Sequence, residues 1–86
     1  MIKSFADNAW EEYEYWQTKD KKILKKINTL IKDIERKGYE GLGKPEPLTH
    51  ELSGYWSRRI TEKDRLIYKV ENGHIIIVQL RGYYDD

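Results

Sequence analysis

Glu46 sits between Pro45 and Pro47, and the chain beyond it carries Arg58, Arg59 and Arg65 on segments patterned as strands. A carboxylate can take a proton, while a guanidinium keeps its own at neutral pH and grips two phosphate oxygens in a planar fork. That pairing suits phosphodiester cleavage without a metal. A base removes the 2′-hydroxyl proton, cations hold the charge growing on phosphorus, and an acid protonates the departing 5′-oxygen. Fixed cations aimed at developing charge usually supply the largest part of such catalysis. The flanking prolines fix two φ angles and restrict the residue between them, which narrows where the Glu46 carboxylate can be. Taken alone, Glu46 reads more readily as a solvated rim carboxylate, since most surface acids are.

Other chemistries find less support. The only imidazoles are His50 and His74. His50, four residues past Glu46, could approach it but reads first as a hydrogen-bonded loop histidine. His74 follows a turn and is expected in solvent. No histidines lie at metal-ligand spacing and the carboxylates do not cluster, so no metal and no cofactor are expected. Gly41-x-Gly43 opens no helix and is not a phosphate-cradling loop.

The 86 residues are expected to form one domain, 1–86, burying roughly 60% of the surface the unfolded chain exposes. Aromatic residues make up 13% of the chain, enough to build a small core despite 36% charged residues. Net charge is only +1, so a polyanion would have to be met by local patches. Lys19 to Lys26 supplies one, with five lysines against a single Asp. Zero cysteines excludes disulfides, thiolate metal sites and cysteine nucleophiles, and fits a cytoplasmic location. No signal peptide is visible and Ile75 to Val78 is far too short to span a bilayer, so a soluble protein without membrane contact is expected.

The elements that must position these side chains follow from periodicity. Met1 to Phe5 is a weakly signalled strand. Asp7 or Asn8 is expected to cap a helix through Gln17, on which Trp10, Tyr13 and Trp16 recur at helical spacing as core or self-association surface. Asp20 caps a second helix to about Arg36, whose stripe Ile23, Ile27, Leu30, Ile31 and Ile34 faces inward with lysines opposite. Gly38 ends it, and Tyr39 to Ser53 reads as loop. Strands follow at Tyr55–Thr61, Arg65–Glu71 and His74 to about Arg81, the last two joined by an Asn72-Gly73 hairpin turn. The fold class is α+β: two N-terminal helices packed on one face of an antiparallel sheet.

The chain also resembles the YoeB branch of the RelE/ParE toxin superfamily nearly end to end. The resemblance rests on Trp10 with Tyr13-x-Tyr15-Trp16-Gln17, Lys25-Lys26-Ile27-Asn28, and Gly41-x-Gly43-Lys44-Pro45-Glu46-Pro47-Leu48. It continues through Leu52-Ser53-Gly54-x-Trp56-Ser57-Arg58-Arg59-Ile60-Thr61 and Arg65-Leu66-x-Tyr68. It implies a microbial RNase fold and a type II toxin that cuts mRNA in the ribosomal A site. Its partners would be the ribosome, mRNA and a YefM/Phd-like antitoxin whose C-terminal tail wraps the toxin. A homodimer stays open.

The resemblance puts the general base on Glu46, the transition-state arginine on Arg65 and a supporting cation on Arg59. Where relatives carry a second cation this chain has Thr49. Where close relatives end in His-Tyr it has Tyr83-Tyr84, so a phenol stands at the acid's position. Lys44, Thr49, Arg58 and Arg81 are candidate RNA contacts. Lys22 and Lys25, on the lysine-rich helix face, are weighed evenly between ribosomal RNA contacts and an ordinary solvated face. Two registers place the acid differently. An uninterrupted hairpin pairs Arg65 with Leu80 and puts Tyr84 on the Arg65 face; a bulge, or departure from the strand at Gly82, puts Tyr83 there. The alternative function is a catalytically weakened ribosome- or antitoxin-binding module of the same fold.

Overall fold

In the computed structural model, which describes residues 1–83, two helices lie against one face of a five-stranded sheet ordered β1-β5-β4-β3-β2. Strand β1 is Ile2–Phe5, β2 Glu46–Pro47, β3 Trp56–Arg59, β4 Arg65–Glu71 and β5 His74–Gln79; α1 is Asp7–Lys19 and α2 Lys21–Lys37. All pairs are antiparallel except β1 with β5, which run parallel. The α1–α2 hairpin lets the chain leave β1 and re-enter the sheet at its far edge.

Helix α2 forms as its sequence dictates. The Asp20 carboxylate accepts from the amides of Lys22 and Ile23, at 3.0 and 3.2 Å, meeting two donors that a helix start leaves without partners. Ile27, Leu30, Ile31 and Ile34 are buried, and Gly38 closes the helix at φ 67°. For α1 the expected cap does not form. Ala6 precedes the helix without a side-chain cap, and the Asn8 amide donates instead to the Val78 carbonyl at 2.8 Å. Helix α1 is tied to the end of β5 by two side chains. The Trp16 indole donates to the Leu80 carbonyl at 2.9 Å, and Glu12 accepts from the amides of Leu80 and Arg81 at 2.7 and 3.1 Å.

Side-chain alternation divides the sheet. Ile60, Leu66, Tyr68, Ile75, Ile77 and Leu80 pack with the α2 stripe in one core, joined by half-buried Trp56. Tyr13 is half-buried, while Trp10 stays 47% exposed and stacks on it at 5.6 Å. The β4–β5 hairpin turns on Asn72 and Gly73, both at positive φ, as a tight two-residue turn requires. His74 departs from expectation: it is half-buried and bonded to Ser4 Oγ at 2.7 Å, because the parallel β1 strand lies beside it. Among the described residues no helix is long and apolar enough to cross a membrane.

Candidate active site

The segment expected to be loop contains a two-residue strand, and that strand carries Glu46. Arg59 donates its amide to the Gly43 carbonyl at 2.7 Å and Leu48 donates to the Tyr55 carbonyl at 2.9 Å. These bonds fasten Glu46–Pro47 to the edge of β3 from both ends, with Glu46 opposite Ser57. Lys44 enters the segment at φ 51°, a left-handed conformation unusual for a lysine. The strand holds Glu46 in register, yet its side chain remains exposed.

The register then builds one cross-strand row, Glu46–Ser57–Ile67–Gln79, and beside it the directly opposed pair Arg59–Arg65. These side chains lie on the sheet face away from the helices. Glu46 and Arg59 are diagonal neighbours, about 7–8 Å apart at Cβ by sheet geometry. Glu46 and Arg65 are separated by roughly 12 Å at Cβ, two strand spacings across and two residues along. The fold brings the candidate base and two candidate cations to a single surface.

Arg59 is exposed, whereas Arg65 is only 6% exposed. Arg65 Nη1 donates to the carbonyls of Thr61, Glu62 and Asp64 at 2.8, 3.3 and 3.1 Å. The turn that supplies them is locked by Thr61, whose hydroxyl donates to Asp64 Oδ2 at 2.7 Å and accepts from the amides of Lys63 and Asp64. Over the guanidinium lies the Tyr83 ring, its centroid 4.6 Å from Cζ.

A bulge puts Tyr83 there. Register shifts by one residue between Ile67 and Tyr68: Tyr68 pairs with Ile77 and Ile67 with Gln79, leaving Val78 as the extra residue. Arg65 therefore pairs beyond Leu80, and its amide bonds the Gly82 carbonyl at 3.0 Å. The segment is pinned by Asp64 Oδ1, which accepts from the Gly82 amide at 2.8 Å. The Gln79 side-chain amide adds bonds to the carbonyls of Gly82 and Tyr83. Of the two registers open in the sequence, the bulged one forms. Tyr84 lies outside the described residues.

The remaining candidates scatter. Lys44 and Thr49 are exposed on the segments flanking Glu46. Arg81 does not join the Glu46 face: its guanidinium lies 3.8 Å over the Tyr15 ring of α1, so it turns toward the helical layer. Lys22 and Lys25 are exposed on α2, also in that layer, and a ligand touching them and Glu46 together would have to wrap the sheet edge. His50 starts a short 3-10 turn at φ 54° and is exposed.

Arg58 requires correction. The side chain expected to contact RNA is fully buried on the helix face. Nη1 donates to Asp33 Oδ2 at 2.6 Å and to the Leu42 carbonyl at 3.0 Å. Nη2 reaches the carbonyls of Gly38 and Glu40 at 2.9 and 2.6 Å, and Nε the Tyr68 hydroxyl at 3.1 Å. All five N–H groups are used, so none can hold a phosphate. Asp33 also accepts from the Leu42 amide, and that bond, followed by the one from Arg58, holds its carboxyl below the usual carboxylate range. Burial pushes the Tyr68 phenol up, against the opposing pull of Arg58.

The sequence reading missed Asp33, although a lone acid between Ile31 and Ile34 in a buried stripe signals a hidden cation. It also missed Ser57, buried beside Glu46, whose small side chain faces the same way by alternation alone.

Two hollows, of about 460 and 410 Å³, lie along α2 at Thr29–Arg36 and around Trp10 and Tyr13; neither includes Glu46, Arg59 or Arg65. Among the described residues no group of three or more His, Asp or Glu side chains could hold a metal ion.

An α-helical hairpin on a mostly antiparallel five-stranded sheet is the architecture of RelE-like small toxin domains. The family model for the YoeB-like toxin of bacterial type II toxin–antitoxin systems matches residues 5–84, and the chain belongs to that family. Toxin YoeB of Escherichia coli K12 is 54% identical over 80 residues, covering 93% of this chain and 95% of that protein. The structure superposes on YoeB in the heterotetrameric YoeB–YefM complex of Staphylococcus aureus with a TM-score of 0.92. That match has 47% identity and covers 98% of both chains. The S. aureus YoeB dimer matches with the same score, identity and coverage.

Proposed function

We propose that this chain is a ribosome-dependent endoribonuclease toxin, cleaving mRNA in the A site by metal-free attack of a ribose 2′-hydroxyl. The observation that carries the reading is the placement of Glu46 and the Arg59–Arg65 pair in adjoining rows of one sheet face. Glu46, exposed at the sheet edge, takes the 2′-hydroxyl proton. Arg65, braced by three carbonyls, and the exposed Arg59 hold the charge that builds on the phosphorane. Tyr83 stands where the acid of close relatives would be. Its phenol O–H donates to the strongly basic 5′-alkoxide. Tyr84 is the second candidate for that role. Lys44 and Thr49 flank the RNA backbone, and Lys22 and Lys25 contact ribosomal RNA.

The partner is a YefM-like antitoxin, as YoeB and YefM associate in the S. aureus complex, and it engages through its C-terminal tail; the toxin also pairs with itself, as YoeB of S. aureus forms a dimer. A second reading, a non-cleaving binder of the ribosome or antitoxin, draws on one feature: the Tyr83 ring covers the face of Arg65. Primer extension on mRNA in a translation reaction separates the two. Discrete cuts that vanish with Glu46→Ala and with Arg65→Ala support the nuclease. Ribosome protection without cuts supports the binder.

A further inference from the structure

The segment delivering Glu46 to the sheet has no helix or strand between Gly38 and Lys44, yet the Arg58 and Asp33 side chains bond its backbone at Gly38, Glu40 and Leu42. We propose that the buried Arg58–Asp33 pair is the positioning device of the site, fixing segment 38–43 and through it the placement of Lys44 and Glu46 against Arg59 and Arg65. The proposal rests on the nuclease reading and deepens it.

Arg58 binds the carbonyls of Gly38, Glu40 and Leu42, and Asp33 takes the Leu42 amide. One ion pair therefore gathers four backbone groups from a single turn of chain. The glycines of that turn are required by the same contact. A Cβ on Gly41 would overlap Asp33 Oδ2, and one on Gly43 would lie 3.2 Å from Arg58 Cβ and 3.0 Å from Leu30 Cδ2. Gly41-x-Gly43 thus lets the backbone press onto the ion pair. The next bond, Arg59 amide to Gly43 carbonyl at 2.7 Å, hands the segment to the sheet edge one residue before Lys44. Arg58 itself stands in β3 between Ser57, which faces Glu46, and Arg59, which faces Arg65. The same side chain so governs both rows, from the far side of the sheet.

A buried ion pair is weak evidence for stability, because desolvation offsets much of its attraction. Its distinctive property is directional: five donors in a planar fork fix five acceptors, which a lysine with three rotatable donors cannot reproduce. Displacement of a reacting group by about 1 Å can cost 100-fold in rate.

The test is single-turnover mRNA cleavage on programmed ribosomes by the full chain carrying Arg58→Lys or Gly41→Ala, below the melting temperature of each. Gly41→Ala keeps both charged side chains but drives a Cβ into the Asp33 carboxylate at φ 112°, and it decides the matter if Arg58→Lys does not fold. Hydrogen exchange of the Arg59 and Leu48 amides reads the segment independently of activity. We expect cleavage to fall about 10- to 100-fold with half-saturation moving less than about twofold, and faster exchange at both amides. Cleavage by Gly41→Ala within about twofold of the parent, or unchanged amide protection, overturns the proposal. If the parent chain itself does not cut, the nuclease reading fails, and the exchange measurement alone decides whether the pair positions the segment.

Discussion

Replacing Asp33 by Asn removes a charge while keeping its shape, and the structure sets what that costs. Asp33 is 3% exposed and Arg58 is fully buried, their nearest atoms 2.6 Å apart. Without the carboxylate, the guanidinium keeps its carbonyl ligands but loses its counter-charge. Arg36, 3.8 Å from Asp33, is itself in solvent and supplies no anion in exchange. Stranding one member of a buried pair costs about 3–5 kcal/mol. A domain of this length is expected to hold about 4–13 kcal/mol in all, at roughly 0.05–0.15 kcal/mol per residue.

At about 4–8 °C per kcal/mol, the melting temperature should fall by about 12–40 °C at pH 7. Acid supplies a second arm. Asp33 has a folded-state pKa below its unfolded value, so its contribution is present above the unfolded value and is lost as pH falls through the folded one. Thermal melts of parent and variant, followed by circular dichroism from pH 7 downward, should therefore begin to converge only as pH falls below about 4, and go on converging below that. A loss at pH 7 under about 4 °C, near 1 kcal/mol, or a gap that does not narrow in acid, refutes the reasoning.

Tyr83→His should raise single-turnover cleavage and add an alkaline fall near the imidazole pKa of about 6.5; an unchanged or lower rate places the acid elsewhere. Glu46→Gln should lower cleavage about 10²- to 10⁴-fold. Because Glu46 is exposed, its removal should leave stability within about 0.5 kcal/mol, measured by denaturant melts. Gly43→Ala adds a Cβ at φ 80° against Leu30, Arg58 and the Arg59 carbonyl. It should destabilise by about 1–3 kcal/mol in the same melts.

What could be read from the residues was local. The α2 stripe with its Asp20 cap and Gly38 stop forms Lys21–Lys37, and Arg65–Glu71 with Asn72-Gly73 forms the hairpin, because each rests on neighbours in sequence. The two-residue strand at Glu46 was not legible, since bonds to Gly43 and Tyr55 across a turn create it rather than any period of its own. The bulge at Val78 is equally silent, yet it sets the register that leaves the Tyr83 ring over the Arg65 guanidinium. Arg58 was misassigned for a different reason. Alternation with Trp56 and Ile60 already put it on the packed face, but a buried arginine makes sense only once Asp33 is seen beneath it. Glu46, Arg59 and Arg65 were recognisable as types and by resemblance. Their shared surface required the register.

Attack by the neighbouring hydroxyl is tested most directly by single-turnover cleavage of an A-site mRNA bearing one 2′-deoxynucleotide at the cut position. If Glu46 works by taking the 2′-hydroxyl proton, cutting there is abolished, while the all-ribose message yields a 2′,3′-cyclic phosphate end that disappears with Glu46→Ala. Undiminished cutting of the deoxy-substituted message, or fragments ending in a free 3′-hydroxyl, would contradict the account.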